Sequence, residues 1–110
     1  MELIGTVILP LAGMISSALG ASNPKTAIAM GNLASLLISE GRLAEGEDYI
    51  LRALNIADKT MATDNPEYVY LLANRLNLYL LRGNYIRAEP IAKRVVSLSE
   101  KALGPDHDPR

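Results

Sequence analysis

Residues 65–106, NPEYVYLLANRLNLYLLRGNYIRAEPIAKRVVSLSEKALGPD, predict a helical hairpin. Asn65 is a favoured N-cap residue, and Pro66 suits the first helical position because its missing N–H would have no partner there. Gly83 lies between two stretches whose hydrophobic residues recur at helical spacing, and its freedom at positive φ lets the chain reverse. Gly104, which is followed by proline, ends the second stretch. The sequence therefore predicts two helices joined by a tight turn.

The same plan occurs 42 residues earlier, over residues 23–64. This offset pairs Asn23 with Asn65 and Gly41 with Gly83. Nine of the 42 positions are identical, whereas average residue usage gives about two or three matches by chance. Because the matches include the helix cap and the turn glycine, which a hairpin requires, we interpret the chain as an internal repeat.

Short motifs in the two copies carry a family resemblance, and they are Asn32-Leu33-Ala34, Gly41-Arg42-Leu43, Glu45, Arg52-Ala53-Leu54, Tyr79, Gly83-Asn84-Tyr85, Ala88-Glu89-Pro90 and Leu103-Gly104-Pro105-Asp106-His107. In these motifs the chain resembles the tetratricopeptide repeat family, and the spacing of 42 residues resembles its kinesin light chain variety. The resemblance implies an all-α fold of antiparallel helix-turn-helix repeats, stacked as a short right-handed α-solenoid. We expect about five helices, near residues 3–19, 24–40, 43–61, 66–82 and 85–103.

The predicted units are an apolar segment, two repeats and a short tail, at residues 1–22, 23–64, 65–107 and 108–110. The apolar segment has three interpretations. A secretory signal is supported by small residues before Ala21 but opposed by Glu2 and the lack of Lys or Arg, and a membrane-spanning helix is interrupted by two glycines and Pro10. We favour the second helix of an incomplete preceding repeat, because Leu19 lies twice the repeat length before Leu103, although Pro10 would kink it. Retention predicts a cytoplasmic protein, and cleavage predicts an exported one.

Composition and motifs exclude several classes of function. The 11 basic and 12 acidic residues give a net charge of −1 without a basic stripe, so we expect no nucleic-acid partner. The lack of cysteine excludes disulfides and thiolate metal sites. His107, the single histidine, lies between two aspartates in the terminal linker, where the resembled family has a packing histidine. We therefore expect no catalytic residues, metal, cofactor, small-molecule substrate or membrane partner.

The resemblance also implies a binding groove. In the resembled repeats the first helices line a concave surface that holds a peptide, and a matched asparagine, here Asn32 and Asn74, contacts its backbone. An amide can pair with a peptide backbone because it offers both a donor and an acceptor. In the alternative interpretation these amides bond to neighbouring turns. The candidate peptide-binding residues are Asn32, Ser35, Ser39, Tyr70, Asn74 and Asn77.

These features predict a non-catalytic protein-interaction or scaffold module. The groove is predicted to be mostly neutral, without the Lys and Arg that a carboxylate-terminal peptide needs. The competing hypothesis is self-assembly, because two repeats would expose apolar end faces. In particular, Val95, Val96 and Leu98 of the last helix would lack the cover of a following repeat.

Three positions depart from the repeat plan. Gly46 stands where most resembled repeats have Ala, which costs about 1 kcal/mol in a helix but allows close approach of the partner helix. Arg75 occupies the repeat position that Leu33 has in the first copy, so either its stem lies in a buried position with its head in solvent or this helix is slightly rotated. Pro90, inside the last helix, predicts a mild bend.

Overall fold

The computed structural model describes residues 22–103, together with Pro10, Gly13, Met14 and Gly20. Within these residues it contains no strand, which confirms the all-α prediction. Four helices follow one another as two hairpins, α1 and α2 in the first and α3 and α4 in the second. Their bounds are α1 Pro24–Ser39, α2 Leu43–Thr60, α3 Pro66–Leu81 and α4 Tyr85–Leu103.

The four helices end within one residue of the predicted positions. Both hairpins begin in the same way, since the side-chain oxygen of Asn23 accepts a hydrogen bond from the N–H of Lys25 at 2.8 Å and that of Asn65 accepts one from Glu67 at 2.9 Å. Both also turn in the same way, at two glycines with positive φ, Gly41 at 81° and Gly83 at 71°.

The predicted helix at residues 3–19 lies outside the described residues, apart from Pro10, Gly13 and Met14, which are helical. The interpretations of segment 1–22, the cellular location that depends on them and the division into units therefore stay predictions. None of the helices in the described part of the chain has the length and apolar character needed to cross a membrane.

The core lies where α1, α2 and α3 meet. Gly46 of α2 is buried there, and a Cβ atom at this position would lie 2.7 Å from Cγ1 of Ile38 and 3.3 Å from the carbonyl oxygen of Ala34. The glycine thus permits the predicted close approach of α1 and α2. The core cluster consists of Ala27, Met30, Leu33, Ala34, Ile50, Ala53, Leu54, Ala57, Tyr68, Leu71 and Leu72.

Tyr68 of α3 joins the two hairpins. Its hydroxyl donates a hydrogen bond to Asp58 of α2 and accepts one from Nη2 of Arg94 of α4 at 3.1 Å. Burial raises the pKa of Tyr68, and the hydrogen bond to Asp58 raises this pKa further. At the other end of α3, Arg82 forms a salt bridge of 2.6 Å with Glu47 of α2.

The second hairpin is less buried than the first. Among residues 85–101, Ala88 is the one buried hydrophobic residue of α4. Val96 is 58% exposed. Val95 and Leu98 are partly buried, because both pack against the core cluster.

Arg75 and Pro90 are the other two departures from the repeat plan. Arg75 is partly buried, and its guanidinium carbon lies 5.7 Å from the centroid of the Tyr79 ring. The buried stem of Arg75 stays a prediction. Pro90 lies inside α4, which continues to Leu103. The bend at Pro90 stays a prediction.

Candidate binding groove

A concave groove lies between α1 and α3, the first helices of the two hairpins. Its volume is about 280 Å³. Each helix contributes three lining residues, spaced so that one helix face presents all of them. These residues are Ser35, Ile38 and Ser39 of α1, and Asn74, Asn77 and Leu81 of α3.

Four of the six predicted site residues line this groove, and they are Ser35, Ser39, Asn74 and Asn77. The other two, Asn32 and Tyr70, lie earlier on the same helices and contact each other across α1 and α3. The Tyr70 hydroxyl donates a hydrogen bond to Oδ1 of Asn32 at 3.3 Å, and both residues are exposed. The structure therefore places a polar pair beside the groove and four predicted residues within it.

The side-chain amide of Asn74 is not satisfied by the protein. Its Nδ2 atom is buried and has no hydrogen-bond partner among the described residues. Leaving a buried donor unpaired costs about 1 to 3 kcal/mol. A ligand acceptor that formed a hydrogen bond with this nitrogen would therefore gain binding free energy of a comparable size. Ser39 differs, because its hydroxyl donates to the carbonyl of Leu36 at 2.8 Å.

The groove lining is electrically neutral. It combines two serines and two asparagines with the aliphatic side chains of Ile38 and Leu81. These two aliphatic residues are not among the six candidate peptide-binding residues. Helical spacing from Asn32 and Asn74 nevertheless predicts that both lie on the faces that line the groove.

No group of three or more side chains suited to a metal ion occurs in the part of the chain that the structure describes. His107, the sole histidine of the sequence, lies outside that part. The described groove offers hydrogen-bonding amides and hydroxyls beside apolar surface.

Comparison with protein families places the repeat in a known class. The family model described as the tetratricopeptide repeat matches residues 25–101, and the chain therefore belongs to the tetratricopeptide repeat family. The predicted resemblance is confirmed, while its kinesin light chain detail stays a prediction. A search of curated proteins found no match. Domains of this family generally bind proteins or peptides and are typically non-catalytic, which indicates an interaction or scaffold role.

Proposed function

We propose that this chain is a non-catalytic interaction module that holds a peptide segment of another protein in the groove between α1 and α3. The observation that carries the proposal is the unpaired, buried amide nitrogen of Asn74 at the groove. A carbonyl oxygen of a bound peptide is the acceptor that such a donor needs.

The groove favours a neutral peptide. Because no lining residue is ionisable, neither a carboxylate nor an ammonium group of a ligand would find a charged partner there. The Ile38 and Leu81 side chains offer apolar contact, and Asn74 and Asn77 offer amides to the peptide backbone. We therefore expect peptides that mix small polar and aliphatic residues, without charged residues at the centre.

The test is selection of neutral peptides of about 12 residues from a displayed library on the intact chain, followed by titration of the best one. Substitution Asn74→Ala should weaken its binding about tenfold, which corresponds to one or two lost hydrogen bonds. The matched control is Asn55→Ala, since Asn55 is an exposed asparagine of α2 outside the groove. Equal affinity of the Asn74→Ala variant and the control would contradict the proposal.

Self-assembly is the second candidate function. The observation that favours it is the exposure of apolar residues in the second hairpin, above all Ile86, which is 90% exposed. In this case the partner is another copy of the chain, and the mass measured by sedimentation rises with protein concentration. A chain that stays monomeric at high concentration would leave the peptide groove as the function.

A further inference from the structure

The turns of the two hairpins lie side by side along one edge of the molecule. We call residues 39–45, SEGRLAE, the first turn, and residues 81–87, LRGNYIR, the second turn. The residues that open these two segments line the same groove. Arg82 of the second turn also forms a salt bridge of 2.6 Å with Glu47, which lies near the start of α2. A single partner surface can therefore contact both turns.

The second turn exposes apolar side chains at positions where the first turn has small or polar ones. Leu81 replaces Ser39, and Ile86 replaces Ala44. Both of these aliphatic residues are exposed, and so is Tyr85 between them in sequence. Apolar side chains that are exposed together mark an interaction surface.

The two turns also have opposite charge. The first turn contains two glutamates and one arginine, a net charge of −1, whereas the second contains two arginines and no acidic residue, a net charge of +2. The reversal occurs at equivalent positions of the repeat, since Arg82 replaces Glu40 and Arg87 replaces Glu45. The edge of the molecule is therefore acidic at one turn and basic at the other.

One charged residue at each turn is available to a partner. Glu45 already pairs with an arginine of its own turn, and Arg82 pairs with Glu47. In contrast, neither Glu40 nor Arg87 forms a salt bridge within residues 22–103, and both are exposed. The first turn thus offers a carboxylate, and the second turn offers a guanidinium.

We propose that this edge is the interface of a two-fold symmetric dimer, in which the first turn of each copy contacts the second turn of the other. The arrangement pairs Glu40 of one copy with Arg87 of the other, and the symmetry repeats this pair. It also covers Tyr85 and Ile86 of each copy. This inference rests on the self-assembly candidate and identifies its interface, and it does not depend on the peptide groove.

Charge determines how the two copies meet. Two second turns placed face to face would bring the two Arg87 side chains together, and like charges at an interface oppose association. Two first turns placed face to face would bring the two Glu40 side chains together and leave Ile86 exposed. The antiparallel arrangement pairs opposite charges at both contacts. The chain carries both halves of the interface, so a second copy is the partner whose chemistry fits.

The experiment measures dimerisation of the intact chain by sedimentation equilibrium over a range of concentrations. The parent should dimerise, and Arg87→Glu should raise the dissociation constant about tenfold, because the lost attraction and the new repulsion each occur twice. Glu40→Arg should have a similar effect. The double variant restores opposite charges at both contacts, so its dissociation constant should return to within about threefold of the parent's.

The two substitutions suit the helices that carry them. Arg87→Glu places an acidic side chain in the first turn of α4, and Glu40→Arg places a basic one at the C-cap of α1, so both charges are favourable to the helix dipoles. Helical circular dichroism should therefore stay unchanged. The matched control is Lys93→Glu at an exposed position of α4 outside both turns, and it should leave the dissociation constant unchanged.

The outcomes separate this interface from the other candidates. A dimer that Arg87→Glu does not weaken, that the double variant does not restore or that Lys93→Glu weakens equally would overturn this interface and leave self-assembly standing. A chain that stays monomeric, whether free or bound to vesicles of anionic lipid, would overturn both. Asn74→Ala should dimerise as the parent does, so failure of the peptide groove and failure of the dimer are distinguishable.

Discussion

The two hairpins share one sequence plan but lie in different surroundings. Leu54 of α2 is 6% exposed, whereas its equivalent in α4, Val96, is 58% exposed. Ile38 of α1 is 5% exposed, whereas its equivalent in α3, Leu80, is 46% exposed. The caps and turns are the same, so the hairpin's own sequence determines its helices, while the stacking of a further helix determines which of its side chains are buried.

The largest expected effect tests this difference in burial directly. Leu54→Ala should lower the free energy of unfolding by about 3 kcal/mol, because it leaves a cavity in the core cluster. Val96→Ala, at the equivalent exposed position, should change it by less than about 0.5 kcal/mol. Urea unfolding of both variants measures the two changes in the free energy of unfolding. Similar losses for the two substitutions would show that the second hairpin is covered in solution.

A second prediction concerns the close contact between α1 and α2. Gly46→Ala should lower the free energy of unfolding by about 1 to 2 kcal/mol, since a Cβ atom would lie 2.7 Å from Cγ1 of Ile38. In an Ile38→Ala background the same substitution should be neutral or stabilising, because alanine is favoured over glycine in a helix by about 1 kcal/mol.

The second hairpin already has the alternative arrangement. Alanine stands at the equivalent position 88, and Leu80, the equivalent of Ile38, is 46% exposed. Thermal unfolding of the two single variants and the double variant gives the coupling between the sites. Gly46→Ala that stabilises the otherwise unchanged chain would contradict the steric explanation.

The smallest expected effect concerns the salt bridge between the hairpins. The coupling between Arg82→Ala and Glu47→Gln in a double-mutant cycle should be about 0.5 kcal/mol, since both side chains are partly exposed. Raising the NaCl concentration to about 1 M should largely remove it. The equivalent acidic residue of the second hairpin, Glu89, provides the control, and Arg82→Ala should show no coupling to Glu89→Gln. Coupling of similar size to both glutamates would mean that Arg82 interacts with them by long-range electrostatics and not through a specific salt bridge with Glu47.

Much of the fold was predictable because helix ends depend on local chemistry. Asn-Pro starts and turn glycines act within a few residues, so all four described helices matched within one residue. Burial along α4 was less predictable, because it depends on neighbours in space. Val95 and Leu98 pack against the core cluster, and their burial could not be inferred from spacing alone.

The candidate groove was partly predictable for the same reason. Helical spacing correctly grouped Ser35 with Ser39 and Asn74 with Asn77 on two helix faces. Spacing within one helix does not determine how two helices align side by side, and that alignment pairs Asn32 with Tyr70. It also leaves the Asn74 amide without a protein partner, a feature that no sequence pattern indicates.

The hydroxyl group of Tyr68 has a consequence for how the chain unfolds. One oxygen atom holds a bond to α2 within the first hairpin and a bond to α4 within the second. In repeat proteins the stability of each repeat and the interaction energy between neighbouring repeats are separate contributions, so terminal repeats can unfold independently. Here a contact between the hairpins and a contact within the second hairpin share the hydroxyl oxygen of Tyr68. Release of α4 near Arg94 also removes a donor from the contact that holds α3 on α2, and this linkage favours loss of both hairpins in one cooperative step.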